Sequence, residues 1–475
     1  MQESARFGAW ESRLRSAAPS ILIIVLWALA SLPWVTLRSL ILEEGKNALL
    51  ARDILQRGDP LRPALFGVPW LEKPSLLPWL IASASAITGG VSEWSARVAP
   101  MASVLATALL VQNLTRRYAS ARASIFAGLA FLFSPMLLQK LAIAEPDTII
   151  TFLSFAAWLL WWSGAARDEV GPARWLGCGA LLTILAMAKG PQPAGFFALG
   201  VGAFTLLNRR WRDLPGLVGC LAAPALAVIA WGAAVYRPGA ERTWLGYMRL
   251  GVQATPLANL HTLAPLPLEL LPALLVAPLL PMPWSRRREA ASPIVGPLLL
   301  YTTACTAVLL VWPGANGRYA MPITPGVAVL GGLAWDRTVG GWRLWLKRAA
   351  TVALIGLVVA QLVIAGVLPP LFAARYAQSR RAGRMIEAAV RADPAPLYCA
   401  NRSNNQPDAN ELFYVDLPIH GLQPSAMGAP RPPFWFEGST ADLAALAASR
   451  PDLRASRLVQ TSYGPAVVAE RLERR

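Results

Sequence analysis

Apolar stretches close to 20 residues long recur along the whole chain, and that recurrence limits the fold more than any motif does. A helix needs about 20 apolar residues to cross roughly 30 Å of hydrocarbon, and inside lipid every backbone N–H and C=O must be bonded internally. Eleven segments meet or approach this length: 18–37, 97–113, 122–138, 148–163, 175–188, 192–207, 214–235, 264–281, 292–312, 319–335 and 349–368. Several are short by a turn. A water-soluble chain of 475 residues would carry more charge than the 15% found here, and the mean hydropathy of +0.43 agrees. The expected fold is mainly α, a polytopic membrane protein of about 11 spans with interfacial helices. Both charge signs occur in the first twenty residues, which lead into a full-length span, so a retained helix is expected there and not a cleaved signal peptide.

The net charge of +17 is distributed as a membrane protein distributes it. Its arginines form short clusters between apolar segments, the pattern of cytoplasmic loops facing anionic lipid, and this argues against a nucleic-acid partner. The stretch 75–89 would reach only about 22 Å as a helix, too short to span. If it lies in the interface, the basic loops at Arg116 to Arg122, Arg209 to Arg212, Arg286 to Arg288 and Arg337 to Arg348 all share the cytoplasmic side with the N-terminus. If it spans, all four fall outside. The interfacial reading places loops 38–96, 139–147, 236–263 and 313–318 on the outer face, with the Lys189-Gly-Pro191 turn and the tail from about 371. Trp34, Trp79, Trp94, Trp161, Trp162 and Trp312 end apolar runs, as expected of indole rings in the headgroup zone.

The tail changes character. Residues 376–391 and 441–449 have helical periodicity, and the runs 396–399, 412–417 and 466–469 read as strands. The chain therefore divides into a transmembrane module, 1–370, and a small α/β domain, 371–475, expected on the outer face of the membrane. The four cysteines form no CxxC pair or disulfide framework. His261 and His420 lack metal-ligand spacing, and no GxSxG elbow or Walker-type glycine loop occurs.

Charged residues on the outer face stand out from this background. In the first outer loop, residues 47–57 read as an amphipathic helix with Ala48, Leu50, Ala51, Ile54 and Leu55 as its apolar stripe and Gly58 as its end. Glu43 and Glu44 precede it, where a helix dipole favours carboxylates; a charged first turn is the plain alternative to a functional pair. A second acidic locus, Ala144-Glu-Pro-Asp147, lies at the mouth of a span, with Asp147 placed as an N-cap would be. Lys73, Lys189 and Arg318 are isolated cations in tight outer turns, against the loop bias. A phosphate partner accounts for them, and snorkelling to headgroups is the alternative.

The ordered set Leu42-Glu-Glu-Gly-Lys-Asn-Ala48, Gly58-Asp59, Gly67-Val-Pro-Trp-Leu-Glu-Lys-Pro74, Ser92-Glu-Trp-Ser-Ala-Arg97, Ala144–Asp147, Ala188-Lys-Gly-Pro191 and Gly317-Arg-Tyr-Ala-Met-Pro322 resembles the bacterial branch of the C-type (GT-C) glycosyltransferases. That branch contains the lipid A aminoarabinose transferases and relatives of the protein O-mannosyltransferases. The similarity covers roughly residues 20–335. The family carries an Asp-Glu pair in the first loop, its aspartate taken as the catalytic base. Here Glu43 stands at that position, one methylene longer, and Glu44 matches the second member, so which carboxylate is the base stays open. Asp147 matches the second-loop acid, Lys73 a lysine near the donor phosphate, and Lys46 a basic position after the pair. Lys189 and Arg318 match further motif positions, with Glu145 and Tyr319 beside them.

The resemblance implies transfer of a sugar from a polyprenyl-phosphate donor to an envelope lipid, glycan or protein at the outer face, with inversion. Members of the superfamily differ in their need for a divalent metal, and the two acidic loci are compatible with either. A transporter or flippase of a lipid-linked glycan would use similar cations, but would hold its ionisable groups near the bilayer midplane.

Overall fold

The computed structural model describes residues 2–237, 256–280, 292–312, 316–341, 343–400, 409–422, 430–460 and 467–474. The expected loop 236–263 lies mostly outside these residues, as do the arginines 286–288. Most of the rest folds as a bundle of apolar helices. They are α1 (Gln2–Ser31), α2 (Glu44–Arg57), α3 (Leu76–Thr88), α4 (Glu93–Arg116), α5 (Ala121–Leu132), α6 (Asp147–Ala165), α7 (Pro172–Lys189), α8 (Gln192–Leu207), α9 (Leu214–Val235), α10 (Val295–Val311), α11 (Thr324–Arg337) and α12 (Arg343–Leu371).

Five segments among the described residues are long and apolar enough to cross a membrane: Ala17–Leu37, Glu93–Arg116, Asp147–Ala165, Trp211–Val235 and Arg343–Leu371. Shorter apolar helices at Leu76–Thr88, Ala121–Leu132, Gln192–Leu207 and Val295–Val311 pack among them. Two expected spans take other forms. In 264–281 the prolines at 265, 267, 272 and 278 remove backbone donors, and the segment breaks into short helices bent by 87°. In 319–335, the helix begins as a 3-10 segment, Gly317–Ile323, because Pro322 and Pro325 deny the first turn its donors.

Tryptophan placement differs too. Trp94 is exposed, but Trp158, Trp161 and Trp162 are buried in the largest core cluster, where Trp158 stacks on Phe155 and Trp162 with centroids 6.0 and 6.1 Å apart. Indoles at the end of an apolar run served packing there, not the headgroup zone.

Beyond α12 come a short helix, Ala373–Tyr376, and α13 (Gln378–Ala392). A five-stranded mixed sheet follows, built from β1 (Leu397–Ala400), β2 (Ile419–Leu422), β3 (Phe434–Ser439), β4 (Leu453–Gln460) and β5 (Val467–Arg474), in the order β2-β1-β3-β5-β4. α14 (Thr440–Ser449) starts from a capping box between Ser439 and Asp442. The runs 396–399 and 466–469 fall at β1 and β5. The run 412–417 is not a strand: a helical turn, Ala409–Leu412, continues into a turn at Phe413 and Tyr414, whose N–H groups and that of Val415 bond back to the carbonyls of Ala409, Glu411 and Leu412, while other polar groups of the segment meet the outer loop. Arg52 donates to the Phe413 carbonyl at 2.8 Å, and the Tyr414 hydroxyl accepts from the Leu40 N–H at 2.9 Å.

That segment docks the sheet domain onto α2. Gly45 makes the approach close enough: a Cβ there would lie 2.5 Å from the Ala409 carbonyl oxygen. Asn410 accepts from the Gly45 N–H and donates to the Leu42 carbonyl, both at 2.9 Å, so one amide brackets Glu43 and Glu44. Arg380 and Tyr414 both reach Glu93, at 2.6 and 2.9 Å, and tie α13 to the start of α4.

Candidate active site

Helix α2 begins three residues before the expected start and ends, as expected, at Gly58 in the left-handed region (φ 69°). Its buried face is Ala48, Leu49, Leu50, Ala51 and Ile54; Leu55, expected in that stripe, is exposed, and Leu49 takes its place. Glu43 is the N-cap residue and Glu44 the first helical residue, so their side chains leave the helix in different directions.

Glu44 turns inward and is fully buried. Arg97, also fully buried, donates to it through Nε and Nη2, each at 2.7 Å. The remaining Arg97 donors reach the carbonyls of Trp34, Val35, Arg38 and Ser39, at 2.6–3.1 Å. Those are the orphan acceptors at the end of the first span. The N–H groups of Ile41 and Ala144 complete the Glu44 carboxylate at 3.0 and 2.8 Å. Burial alone would raise its pKa, but Arg97, Arg38 and the Ala144 N–H bring it below the usual carboxylate value. Glu44 is a satisfied internal anion.

Glu43 turns outward into a cluster of cations. Arg318 Nη2 donates to it at 2.9 Å, Lys46 Nζ at 3.1 Å, and Lys73 Nζ stands 4.0 Å away. Burial works to raise its pKa; Lys73, Lys46 and Arg318 outweigh that and hold it well below the carboxylate range. Lys73 responds in the other direction: burial, with Lys46 and Lys189 adding, pushes its amine down to about 8 against the pull of Glu43.

Asp147 enters at the start of α6. It is the first helical residue and not the N-cap, which is Pro146, and it is 3% exposed. The reading of it as a solvated cap therefore fails. Its Oδ1 accepts from Lys189 Nζ at 2.6 Å, while its Oδ2 has no hydrogen-bond partner among the described residues and lies 3.7 Å from Arg318 Nε, also without one among them. Glu145 pairs with Lys140, sits 3.4 Å from Arg318 Nη1, and leaves its Oε1 without a partner among the described residues. Arg318 thus touches all three carboxylates; despite burial, Asp147, Glu43 and Glu145 raise its pKa further.

Aromatic faces floor the cluster. Lys189 Nζ lies 3.5 Å from the Tyr319 ring centroid, and Lys46 and Lys73 lie 5.3 and 5.7 Å from the Trp70 ring. Asn47 pins the two acidic loci together by donating to the carbonyls of Glu43 and Ala144 at 3.0 and 3.2 Å. Lys46, Lys73, Lys140, Lys189 and Arg318 face Glu43, Glu145 and Asp147, an excess of two positive charges, with the Glu44–Arg97 pair neutral beside them. Among the described residues no group of three or more His, Cys, Asp or Glu is placed to hold a metal ion.

All nine expected site residues lie in or beside this cluster. Sequence reasoning missed Lys140, which satisfies the same test as Lys73: an isolated cation in an outer loop. It also left Arg97, Trp70 and Asn47 unassigned although each stood within a quoted motif. Asn410 carried no local signal. His261 is exposed and His420 packs on Tyr398 in the sheet domain, so neither enters the site.

The fold is that of the C-type membrane glycosyltransferases. It superposes on the crystal structure of ArnT from Cupriavidus metallidurans bound to undecaprenyl phosphate with a TM-score of 0.67, at 17% identity, covering 96% of this chain and 97% of that one. The apo oligosaccharyltransferase of Archaeoglobus fulgidus gives a TM-score of 0.51 at 14% identity, over 93% of this chain and 72% of that one.

In sequence, the family model for dolichyl-phosphate-mannose-protein mannosyltransferases matches residues 72–232, a segment that holds Lys73, Lys140, Glu145, Asp147 and Lys189. The chain resembles curated undecaprenyl phosphate-alpha-4-amino-4-deoxy-L-arabinose arabinosyl transferases. The one from Enterobacter sp. (strain 638) is 28% identical over 214 residues, 43% of this chain and 37% of that protein. The one from Pseudomonas aeruginosa (strain LESB58) is 30% identical over 210 residues, 42% of this chain and 37% of that protein. The matched segment spans a little over a third of those relatives' length.

Proposed function

We propose that this protein is a glycosyltransferase that moves a sugar from a polyprenyl-phosphate donor to an envelope acceptor at the outer face of the bacterial inner membrane, with inversion. One observation carries the reading: five cations converge on three carboxylates, and among the described residues Arg318 Nε, Asp147 Oδ2 and Glu145 Oε1 are buried without hydrogen-bond partners. The surplus positive charge and the open Arg318 donor fit a phosphate-bearing ligand, and the open carboxylate oxygens fit the hydroxyl groups of a sugar carried on it. The relatives named for undecaprenyl-phosphate sugars support that donor class, and the acceptor is a lipid, a glycan or a protein.

Lys73, Lys189 and Arg318 hold the donor phosphate, with Lys46 and Lys140 adding charge. They act most strongly as the C1–O bond to phosphate breaks and negative charge gathers on the leaving oxygen, which is where preorganised charge lowers a barrier. The acceptor hydroxyl attacks C1 from the opposite side and its proton passes to Glu43, while the polyprenyl phosphate departs with the bonding pair. In the free protein Glu43 is too well paired to be a strong base. Donor phosphate competes for Arg318, Lys46 and Lys73, and that competition raises the basicity of Glu43 when the substrate is in place. Asp147 orients Lys189 and Arg318. Glu44 plays a structural part, holding α2 to α4 through Arg97.

The cytoplasmic N-terminus, the periplasmic sheet domain and about 11 crossings, with the bent segment 264–281 counted as one broken span, belong to the same proposal; the shared side of the basic loops supports them. A flippase is disfavoured because the ionisable groups gather at helix ends on one side of the bundle and not at its middle.

The test is transfer of radiolabelled sugar from a synthetic polyprenyl-phosphate donor to envelope extract by the purified protein. Glu43→Gln and Asp147→Asn should each lose at least about tenfold in turnover, roughly 1.4 kcal/mol of transition-state stabilisation. Full activity in both variants would overturn the assignment.

A further inference from the structure

The opposite end of the bundle carries a second polar construction. Helix α7 has Lys189, of the acid–base cluster, as its last residue, so its first residue, Pro172, lies about 26 Å away along the axis. There α7 and α9 pack closely: a Cβ on Gly179 would sit 3.4 Å from Cys220, and the Trp175 ring covers Gly216. Their outward faces leave a groove of about 900 Å³, walled by Trp175, Leu176, Gly179, Ala180, Ile184 and Gly219. It extends from the level of Pro172 to that of Ile184, about 18 Å of helix, close to the ~15 Å depth of one leaflet.

Arg212 stands at the mouth of this groove and also lines an adjoining recess of about 540 Å³ with Asp168, Asn208, Arg209 and Arg210. The Arg210 side chain is only 10% exposed. Its Nε donates to Asp213 at 2.6 Å and its Nη1 to the Ala165 carbonyl at 2.9 Å; the Asp168 carboxylate bridges Arg210 Nη1 and Arg212 Nη2 at 3.0 and 3.1 Å, yet the buried Arg210 Nη2 has no hydrogen-bond partner among the described residues. Arg167, Arg174, Arg209, Arg210 and Arg212 outnumber Asp168, Glu169 and Asp213 here. The N-termini of α7 and α9 add the positive ends of two helix dipoles.

An apolar groove one leaflet deep, opening onto surplus positive charge and an unfilled guanidinium, matches one kind of molecule. We propose that it binds a single anionic glycerophospholipid of the leaflet at that end. The phosphate sits against Arg210 and Arg212, and one acyl chain lies between α7 and α9. A polyprenyl chain would overrun a groove of this depth, which is why the occupant assigned is a phospholipid and not the donor.

Gly219 supplies a clean test, because nothing lies within 4 Å of the position its Cβ would take. Gly219→Leu should fill the groove without moving backbone, and Gly219→Ala should leave it usable. Full-length protein is delipidated in mild detergent and titrated with dioleoylphosphatidylglycerol, dioleoylphosphatidylcholine or undecaprenyl phosphate. Native mass spectrometry and thermal unfolding give the readout. Wild type and Gly219→Ala should retain one phosphatidylglycerol and gain melting temperature from it. Gly219→Leu and Arg212→Gln should each lose at least about fivefold in occupancy, with unchanged melting in the absence of lipid. Phosphatidylglycerol binding that ignores both substitutions is annular lipid only and overturns the proposal. Equal retention of phosphatidylcholine overturns the role of charge, and undecaprenyl phosphate displacing phosphatidylglycerol overturns the choice of occupant. If Gly219→Leu fails to fold, Arg212→Gln decides alone.

Discussion

Glu44→Gln separates the two members of the acidic pair by their energetics. In the native protein Oε1 of Glu44 accepts from Arg97 Nε and the Ala144 N–H, and Oε2 accepts from Arg97 Nη2 and the Ile41 N–H. Glutamine has the same shape, but either orientation of its amide turns an NH2 toward two donors. The substitution therefore breaks hydrogen bonds and leaves the fully buried Arg97 charge without its counter-ion. Removing one partner of such a pair costs about 3–5 kcal/mol, a large part of the 5–15 kcal/mol that holds a typical domain. Glu44→Gln should fall sharply in monodisperse yield and in melting temperature after detergent extraction, before activity is considered. Replacing both partners, as Glu44→Met with Arg97→Met, should be milder than Arg97→Met alone, which strands the Glu44 charge in addition to the carbonyls of Trp34, Val35, Arg38 and Ser39. Glu43→Gln should keep yield and melting while losing sugar transfer. A Glu44→Gln protein with wild-type melting and no activity would refute the division and return Glu44 to the chemistry.

Lys73 gives a pH signature: its amine is needed charged, its pKa is depressed to about 8, and the charge is lost as pH rises through that value. Donor kcat/KM should therefore fall above about pH 8 in wild type, and Lys73→Arg should show no such limb, because a guanidinium stays charged. Gly45→Ala should weaken docking of the sheet domain, since the new methyl meets backbone and not a flexible side chain. A loss of about 1–3 kcal/mol is expected, read as a lower melting temperature with reduced turnover. Reporter fusions after residues 210 and 380 should report opposite sides of the membrane; agreement would give the spans the wrong parity.

The bundle was legible where a local rule governs it. α7, α8 and α9 begin and end within three residues of the apolar runs 175–188, 192–207 and 214–235, because burial in lipid and helix formation reward the same residues. It was not legible where proline competes with hydropathy, as in 264–281, whose composition suits a span and whose backbone donors do not. The sheet domain was half legible. β2, β3 and β4 escaped notice: β2 is only four residues long and holds a glycine, β3 is buried nearly throughout, without two-residue alternation, and β4 carries arginines at Arg454 and Arg457. Leu412 to Leu417 has the composition of a strand, yet its first residues close a turn on Ala409, Glu411 and Leu412, and its contacts with Arg52 and Leu40 come from a neighbour distant in sequence.

The candidate site was legible as a set and illegible as an arrangement. Isolated cations against the loop bias picked out Lys73, Lys189 and Arg318, and acids at a helix start and a span mouth on the same face picked out Glu43 and Asp147, since a charge at a bilayer surface without a partner in sequence has to find one in space. Nothing in sequence separates Glu43 from Glu44. One residue apart on a helix means about 100° of rotation, and which direction faces Arg97 depends on how α2 lies across α4, a tertiary fact. The same rotation turns one carboxylate into a buried anchor and leaves the other facing Lys46, Lys73 and Arg318. Asn410 is the extreme case: 365 residues beyond Gly45, it brackets both glutamates through backbone groups every residue possesses. The sheet domain thus sets the geometry of a site to which it contributes none of the clustered charges.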